Sequence, residues 1–471
     1  MVTQIEIFNS DVEQVTHTPA IELTANDQIL VNHIKSASEA NLNRWSAPNI
    51  DRRKGTHSLF QYPGRMVPEV QKALVQAIRD TQPTIQAVID PYMGSATSLV
   101  ASMYQGLDCY GQDINPLAIL IGRVKTTWLN SEALRESILR TLAYVSADTR
   151  MDLDVYFPGI TKWFRSDVAV ELCKLRRAIL REPNLDYRRV LWLTLAETIR
   201  LTSNDRTSTY KLHARPKHEI LSRVLDVVGV FREQVIRNVV DIRHFHQELW
   251  EAGYADETVY RGTITIELLN SMEHILPAGD PTGFDLLVTS PPYGDNRTTI
   301  PYGEHAFLPL QWIDLDDIDP AVKQEWLLTT RALDEFSMGG KFYQRDAETV
   351  EKLREASPTL CSHLLDLAEA NAPNISYRKV IAFYDDFYRS LQLIATSLKP
   401  NAYLAWTLGN RRVNKMLIRN DAILREFLEN MGCVYVTELE RIIHSKRMPH
   451  RNRSGKTMAN EQILLLRKQG S

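Results

Sequence analysis

Residues Ile85–Pro116 constrain the fold more tightly than any other part of the chain. IQAVIDPYMG reads as a buried apolar strand running into a turn, SATSLVASMYQG as a helix closed by Gly106, and LDCYGQDINP as a second strand stopped by Asn115-Pro116. Strand, turn, helix and strand within about 30 residues form a βαβ unit. Upstream, PEVQKALVQAI (Pro68–Ile78) has helical spacing with proline in the first turn. Strand patterns return at Thr258–Asn270 and Phe284–Asn296, and later FYRSLQLIATSLKP, AYLAWTLGN and ILREFLENMG alternate helix, strand, helix. CVYVTELERII and EQILLLRK read as a closing pair of strands. Between these lie two largely helical stretches, about Ser131–Leu249 and Asp316–Leu367, the second broken at Gly339-Gly340. The expected organisation is an α/β core interrupted by two insertions. Residues 1–55 form an N-terminal extension with a helix near Asn26–Leu42, 56–130 one half of the core, and 131–255 the first insertion. Residues 256–315 form the second core segment, 316–370 the second insertion and 371–471 the C-terminal part of the core.

Apolar residues make up 44% of the 471 and charged ones 24%, enough for a sizeable core. No stretch approaches the roughly 18 uninterrupted apolar residues of a membrane span, and MVTQIEIFNSDVEQ lacks the basic start and apolar run of a secretory signal. The cysteines Cys109, Cys173, Cys361 and Cys433 lie far apart without a CxxC pattern, so reduced thiols in a cytoplasm and no metal are expected. The net charge of −3 decides nothing about partners, but its distribution is informative. Arg206, Lys211, Arg215 and Lys217 form one acid-free basic stretch; Arg441, Lys446, Arg447, Arg451, Arg453 and Lys456 form another. Such stretches suit phosphate-binding surfaces and solvated loops alike.

Chemistry concentrates in three places. Thr289-Ser290-Pro291-Pro292-Tyr293 directly follows the apolar strand Leu286–Val288, at a strand end where open α/β sheets build ligand crevices. The two prolines extend the chain and remove two donors, so acceptors dominate. Ser290 adds a hydroxyl, and Tyr293 a flat face on which a base can stack. Acceptors beneath an aromatic face suit an amino group. Second, Asp90-Pro91-Tyr92-Met93-Gly94-Ser95-Ala96-Thr97 is a small-residue turn at a helix start, where a cofactor can approach the backbone. Third, Asp113 closes the next strand 23 residues after Asp90, a position from which an acid commonly holds ribose hydroxyls.

With these segments in view, the chain resembles the DNA amino-methyltransferases. TSPPY resembles their fourth motif, where N4-cytosine enzymes commonly carry SPPY and N6-adenine enzymes DPPY or NPPY. DPYMGSAT is similar to their first motif, and FQYPGRMVP (Phe60–Pro68) to the tenth, which folds over the methionine end of the cofactor. The tail RIIHSKRMPHRN…MANEQILLLRK also looks like the end of this family. The resemblance covers about 60–125, 258–310 and 380–468. It implies a Rossmann-like class I methyltransferase sheet with helices on both faces, and S-adenosylmethionine as cofactor. Tyr62, Pro63, Arg65, Asp90, Tyr92, Met93, Gly94 and Ser95 would hold its methionine part, Asp113 its ribose, and Asn270 would approach the adenine. Ser290, Pro291, Pro292 and Tyr293 would be catalytic. Ala96 stands where the family usually has glycine.

The order of motifs, tenth, first, insertion, fourth, resembles the α-type arrangement and makes the first insertion the leading target-recognition candidate, the second its rival. The implied partner is double-stranded DNA, with Arg206, Lys211, Arg215, Lys446, Arg447 and Arg451 as nucleic-acid contacts. A companion restriction endonuclease and a prokaryotic cytoplasm, at the nucleoid when DNA is bound, complete the expectation. The four cysteines follow Asp108, Leu172, Leu360 and Gly432, never proline, which disfavours cytosine-C5 chemistry. An RNA or protein amino-methyltransferase and a non-catalytic nucleic-acid-binding subunit remain alternatives. The absence of GxGxxG at the first turn disfavours a nucleotide-dependent oxidoreductase.

Overall fold

A computed structural model describes residues 23–41, 43–48, 54–296, 298–370, 374–443 and 460–470. Its strands are β1 (Ala87–Asp90), β2 (Asp108–Asp113), β3 (Ile264–Leu268), β4 (Phe284–Thr289), β5 (Leu398–Leu408), β6 (Arg411–Val413), β7 (Met416–Ile418), β8 (Cys433–Ile442) and β9 (Asn460–Lys468). Among the described residues seven of them form one sheet in the order β3-β2-β1-β4-β5-β9-β8, and β6 pairs with β7 in a small hairpin. Strands β1 to β5 run parallel, and β9 lies antiparallel between β5 and β8. The strand order reverses between β1 and β4. Crevices outside the carboxyl ends of such strands are where open α/β sheets take ligands.

Helices α1 (Ala25–Ala40), α2 (Pro68–Thr81), α3 (Thr97–Met103) and α4 (Pro116–Thr126) belong to the first half of the core. The first insertion supplies α5 (Ser131–Ala147), α6 (Ile160–Trp163), α7 (Ser166–Ile179), α8 (Leu185–Thr202), α9 (Lys217–Ser222) and α10 (Val227–Glu251). After β4 come α11 (Tyr302–Leu310), α12 (Leu315–Ile318), α13 (Ala332–Phe336), α14 (Ala347–Ala356) and α15 (Pro358–Glu369). Then α16 (Asn374–Ser397) and α17 (Asn420–Asn430) return to the sheet.

Alternation along the strands explains the layers. Val88, Cys109, Leu286, Val288 and Ala405 enter one apolar cluster with α1 to α4 and the first insertion. Ala87, Ile89, Tyr110, Leu287, Leu404 and Trp406 enter a second, with α14 to α17. Successive side chains point to opposite faces, so a central strand that is apolar throughout needs cover on both. The molecule is thus a Rossmann-like sheet with helices on both faces, as the sequence led us to expect. No described helix is long and apolar enough to cross a membrane.

Candidate active site

The sheet's switch point opens into a cavity of about 890 Å³, open solvent at its mouth included. Three segments far apart in sequence meet there. Tyr62, Pro63 and Arg65 line it from one side; Tyr92, Met93, Gly94 and Ser95 from the turn after β1; Ser290 and Pro292 from the loop after β4. Asp113 and Asn270 line it at the ends of β2 and β3. Asp90, Pro291 and Tyr293 are not among the residues that line it.

The turn after β1 is shaped by left-handed backbone. Gly94 has φ +46, and a Cβ there would stand 3.3 Å from the Tyr62 ring, so glycine keeps the tyrosine close to the turn. Ala96 is also left-handed, φ 57 and ψ 33, and is the residue preceding α3. That conformation explains why glycine suits this position better. The Ala96 methyl is wholly buried in the first apolar cluster. Asp90 is fully buried. Its carboxylate accepts from the Thr289 hydroxyl at 2.5 Å, the Tyr92 amide at 3.1 Å and the Ser98 hydroxyl. Burial pushes this carboxyl up to about 6, against the opposing pull of those hydrogen bonds. Asp90 therefore couples β1 to the strand carrying the TSPPY loop, a positional part in the site.

Asp113 accepts from the Gly94 amide at 2.9 Å and the Asn115 amide at 2.8 Å, joining the end of β2 to the turn after β1. Burial lifts it too to about 6, opposed by hydrogen bonds from backbone amides. Asn115 caps α4 through the Leu117 amide and donates to the Tyr62 hydroxyl at 3.1 Å. Tyr62 in turn stacks on Tyr302 of α11, ring centres 5.7 Å apart and planes 25° from parallel. Arg65 donates to the His57 carbonyl. The Asn270 side-chain amide donates to Glu273 at 3.1 Å.

Sequence reasoning missed several of these neighbours. Tyr302, Asn115 and Ser271 line the cavity. Lys125 is fully buried behind the turn, donating to the Ser95 carbonyl at 2.7 Å with His57 Nδ1 at 3.4 Å. Burial, then the Arg65 charge, hold its amine well below the usual lysine value. Only Asn115 carried a readable signal, an asparagine cap before a proline at a helix start.

In the TSPPY loop, Ser290 Oγ lies 3.3 Å from the Tyr293 hydroxyl, which donates to Glu461 of β9 at 3.3 Å. The Tyr293 carbonyl accepts from Asn420 at 3.0 Å. Its ring is partly buried against the second apolar cluster.

Arg206, Lys211 and Arg215 fall on a bend of the first insertion closed by the bridge between Asp205 and Ala214. Arg206 and Lys211 are exposed. Arg215 is partly buried, 3.7 Å from Glu219. The bend docks beside the cavity: the Leu212 amide donates to Glu304 at 3.0 Å, and the Tyr210 ring meets His305 edge-on at 5.9 Å. Lys446, Arg447 and Arg451 lie outside the described residues. Arg441, read from sequence as part of that basic surface, is instead buried and ion-paired with Glu461. It sits on the inner side of the β8–β9 pair, where a charge needs a partner.

No family model matches the chain. The Type II methyltransferase M.MvaI of Kocuria varians is 27% identical to it over 463 residues, spanning 94% of this chain and 98% of that protein. The chain is similar to a Type II methyltransferase over nearly its whole length. The alignment therefore runs through both helical insertions, which the short motifs alone did not cover. The Type II methyltransferase M.MjaII of Methanocaldococcus jannaschii is 32% identical over 92 residues, 20% of this chain and 17% of that protein. Among solved structures, the rRNA methyltransferase aviRa from Streptomyces viridochromogenes aligns over 87% of this chain and 88% of that one, at 10% identity and a TM-score of 0.29.

Proposed function

We propose that the chain is a site-specific DNA methyltransferase acting on the exocyclic amino group of a flipped base, N4 of cytosine in preference to N6 of adenine. The observation that carries this reading is the convergence of the Tyr62–Arg65 segment, the turn after β1, Asp113 and Ser290 on one cavity at the switch point. Similarity to M.MvaI along nearly the full chain independently supports the coarser part of this reading, a site-specific methyltransferase with DNA as its partner; a companion endonuclease belongs to the proposal.

The residues present fit S-adenosylmethionine. Asp113 would offer carboxylate acceptors to its ribose hydroxyls, Asn270 would take its adenine, and Tyr62, Arg65 and the Tyr92–Ser95 turn would hold its methionine part. When bound, the cofactor supplies a methyl group activated by a positively charged sulfur. The chain's own work is positioning. Ser290 and the Pro291 carbonyl accept from the amino hydrogens and draw the nitrogen's lone pair out of the ring. Tyr293 offers a face on which the base, drawn from the duplex at a cost of a few kcal/mol, can stack. The bend bearing Arg206, Lys211 and Arg215 stands beside the cavity, which supports the first insertion as the target-recognition unit. Lys446, Arg447 and Arg451 are proposed to meet backbone phosphates.

The SPPY form tilts the base to cytosine. Incubating the protein with tritiated S-adenosylmethionine and unmodified genomic DNA, then separating the nucleosides by mass spectrometry, tests this. N4-methylcytosine is expected. N6-methyladenine would reverse the base, and an absence of label in DNA would overturn the DNA reading.

A further inference from the structure

Behind Ser290 runs a chain of polar groups whose hydrogen-bond directions are fixed from its far end. Arg441 on β8 is buried and ion-paired with Glu461 on β9. The Glu461 carboxylate can only accept, so the Tyr293 hydroxyl must donate to it across 3.3 Å. Burial, and then the Glu461 charge, push the Tyr293 phenol well above its ordinary value, so it retains the proton it donates. That phenol has a single proton. The 3.3 Å contact with Ser290 can then be made in one sense only, with Ser290 donating to the tyrosine oxygen. Ser290 lines the cavity. With its own proton turned inward, it presents only lone pairs to whatever enters.

We propose that Glu461, held by Arg441, is a positioning residue that sets the polarity of Ser290 and so makes the site select a base carrying an amino group over one carrying a keto oxygen. This rests on the functional reading above and adds a residue to it. A serine free to rotate could donate to a keto oxygen as readily as it accepts from an amino group. A serine polarised from behind can only accept, and a keto base would leave two acceptors facing each other, the arrangement that buried polar sites reject most strongly. The backbone side of the loop is anchored separately, since Asn420 holds the Tyr293 carbonyl at 3.0 Å and also donates to the Gly409 carbonyl at 2.7 Å. Loss of the Glu461 contact therefore releases the direction of the hydrogen bonds without releasing the loop.

The test compares wild type, Glu461→Gln, Tyr293→Phe and the double variant, with tritiated S-adenosylmethionine and unmodified genomic DNA, after thermal unfolding shows each to be folded. Glu461→Gln is expected to lower kcat by about tenfold to a hundredfold, the size of one charge-assisted hydrogen bond, with both KM values changed less than about twofold. Tyr293→Phe keeps the ring and cuts the link, so Glu461→Gln should have no further effect in that background. A purely structural Glu461 would lower the unfolding temperature and act equally in both backgrounds. If Glu461→Gln does not fold, Tyr293→Phe alone carries the test and must lower kcat at unchanged KM. An active wild type with an unaffected Glu461→Gln or Tyr293→Phe, or full additivity in the double variant, overturns this inference alone. A wild type that transfers no label to DNA overturns the functional reading and this inference together.

Discussion

The ends of β1 and β2 carry the same residue in neighbouring strands, to different effect. Asp90 and Asp113 are both lifted to about 6, and burial is the main cause in each. Their partners separate them. Asp90 accepts from two side-chain hydroxyls, one of them on β4, besides the Tyr92 amide, and is not among the residues that line the cavity. Asp113 accepts from the backbone amides of Gly94 and Asn115 and faces the cavity. Side-chain partners tie elements together, whereas backbone partners shape a turn and leave the carboxylate at the surface a ligand meets. Residue type and degree of protonation do not separate the two acids; the hydroxyl donors of Ser98 and Thr289, which only Asp90 has, and the cavity face, which only Asp113 reaches, do, and the latter carries the binding role proposed for Asp113.

Substitution can break this comparison. Asp90→Ala leaves the Thr289 and Ser98 hydroxyls and the Tyr92 amide without their acceptor, at about 1–3 kcal/mol for each buried group that finds no other. We expect a loss of at least about 3 kcal/mol in urea unfolding, and a loss under about 1 kcal/mol would show that Asp90 is not a tie. Asp113→Ala should cost less stability but weaken S-adenosylmethionine binding by about 1.5–3 kcal/mol in calorimetry. Unchanged affinity would remove the ribose role.

The same pair has a pH signature. Both carboxyls titrate near 6 in the folded chain against an ordinary 3.8. Their protonated forms are therefore favoured by folding. The stability they contribute is complete below about pH 4 and is lost as pH rises through about 6. Cofactor affinity should move the other way, rising through about pH 6 as Asp113 becomes a full acceptor. In Asp113→Asn the affinity should be flat with pH, while the stability slope due to Asp90 persists. The smallest effect belongs to the turn between the two acids. Ala96→Gly trades the relief of a left-handed alanine against the loss of a buried methyl, so it should move stability by less than about 1 kcal/mol, read as a urea midpoint nearly that of the wild type.

How much of this was legible depended on the range of the contact. The strand patterns, the small-residue turn, TSPPY and Asp113 are local, and the structure gathers most of them round one cavity because the sheet's order reverses between β1 and β4. The links that orient them are not local. Tyr293 meets Glu461 across 168 residues and Asn115 meets Tyr62 across 53. Lys125 reads as one more cation on an amphipathic helix until its burial is seen. Arg441 was misread for the same reason: an acid-free stretch suggests solvent, but its partner comes from the facing strand β9. Tyr293 was read as a flat face for a base, and its hydroxyl's contact with Glu461 is not legible in the TSPPY loop because that partner lies on β9.

The central claim is that the cavity divides between a cofactor side, held by Asp113 and the turn after β1, and a base side, held by the TSPPY loop. Measuring S-adenosylmethionine affinity by calorimetry and methyl transfer to unmodified DNA on the same preparation of Tyr293→Ala tests it most directly. We expect transfer to fall at least about a hundredfold, roughly 2.7 kcal/mol, while cofactor affinity stays within about twofold. An equal loss of both would contradict the division, and would make Tyr293 a packing residue of the core.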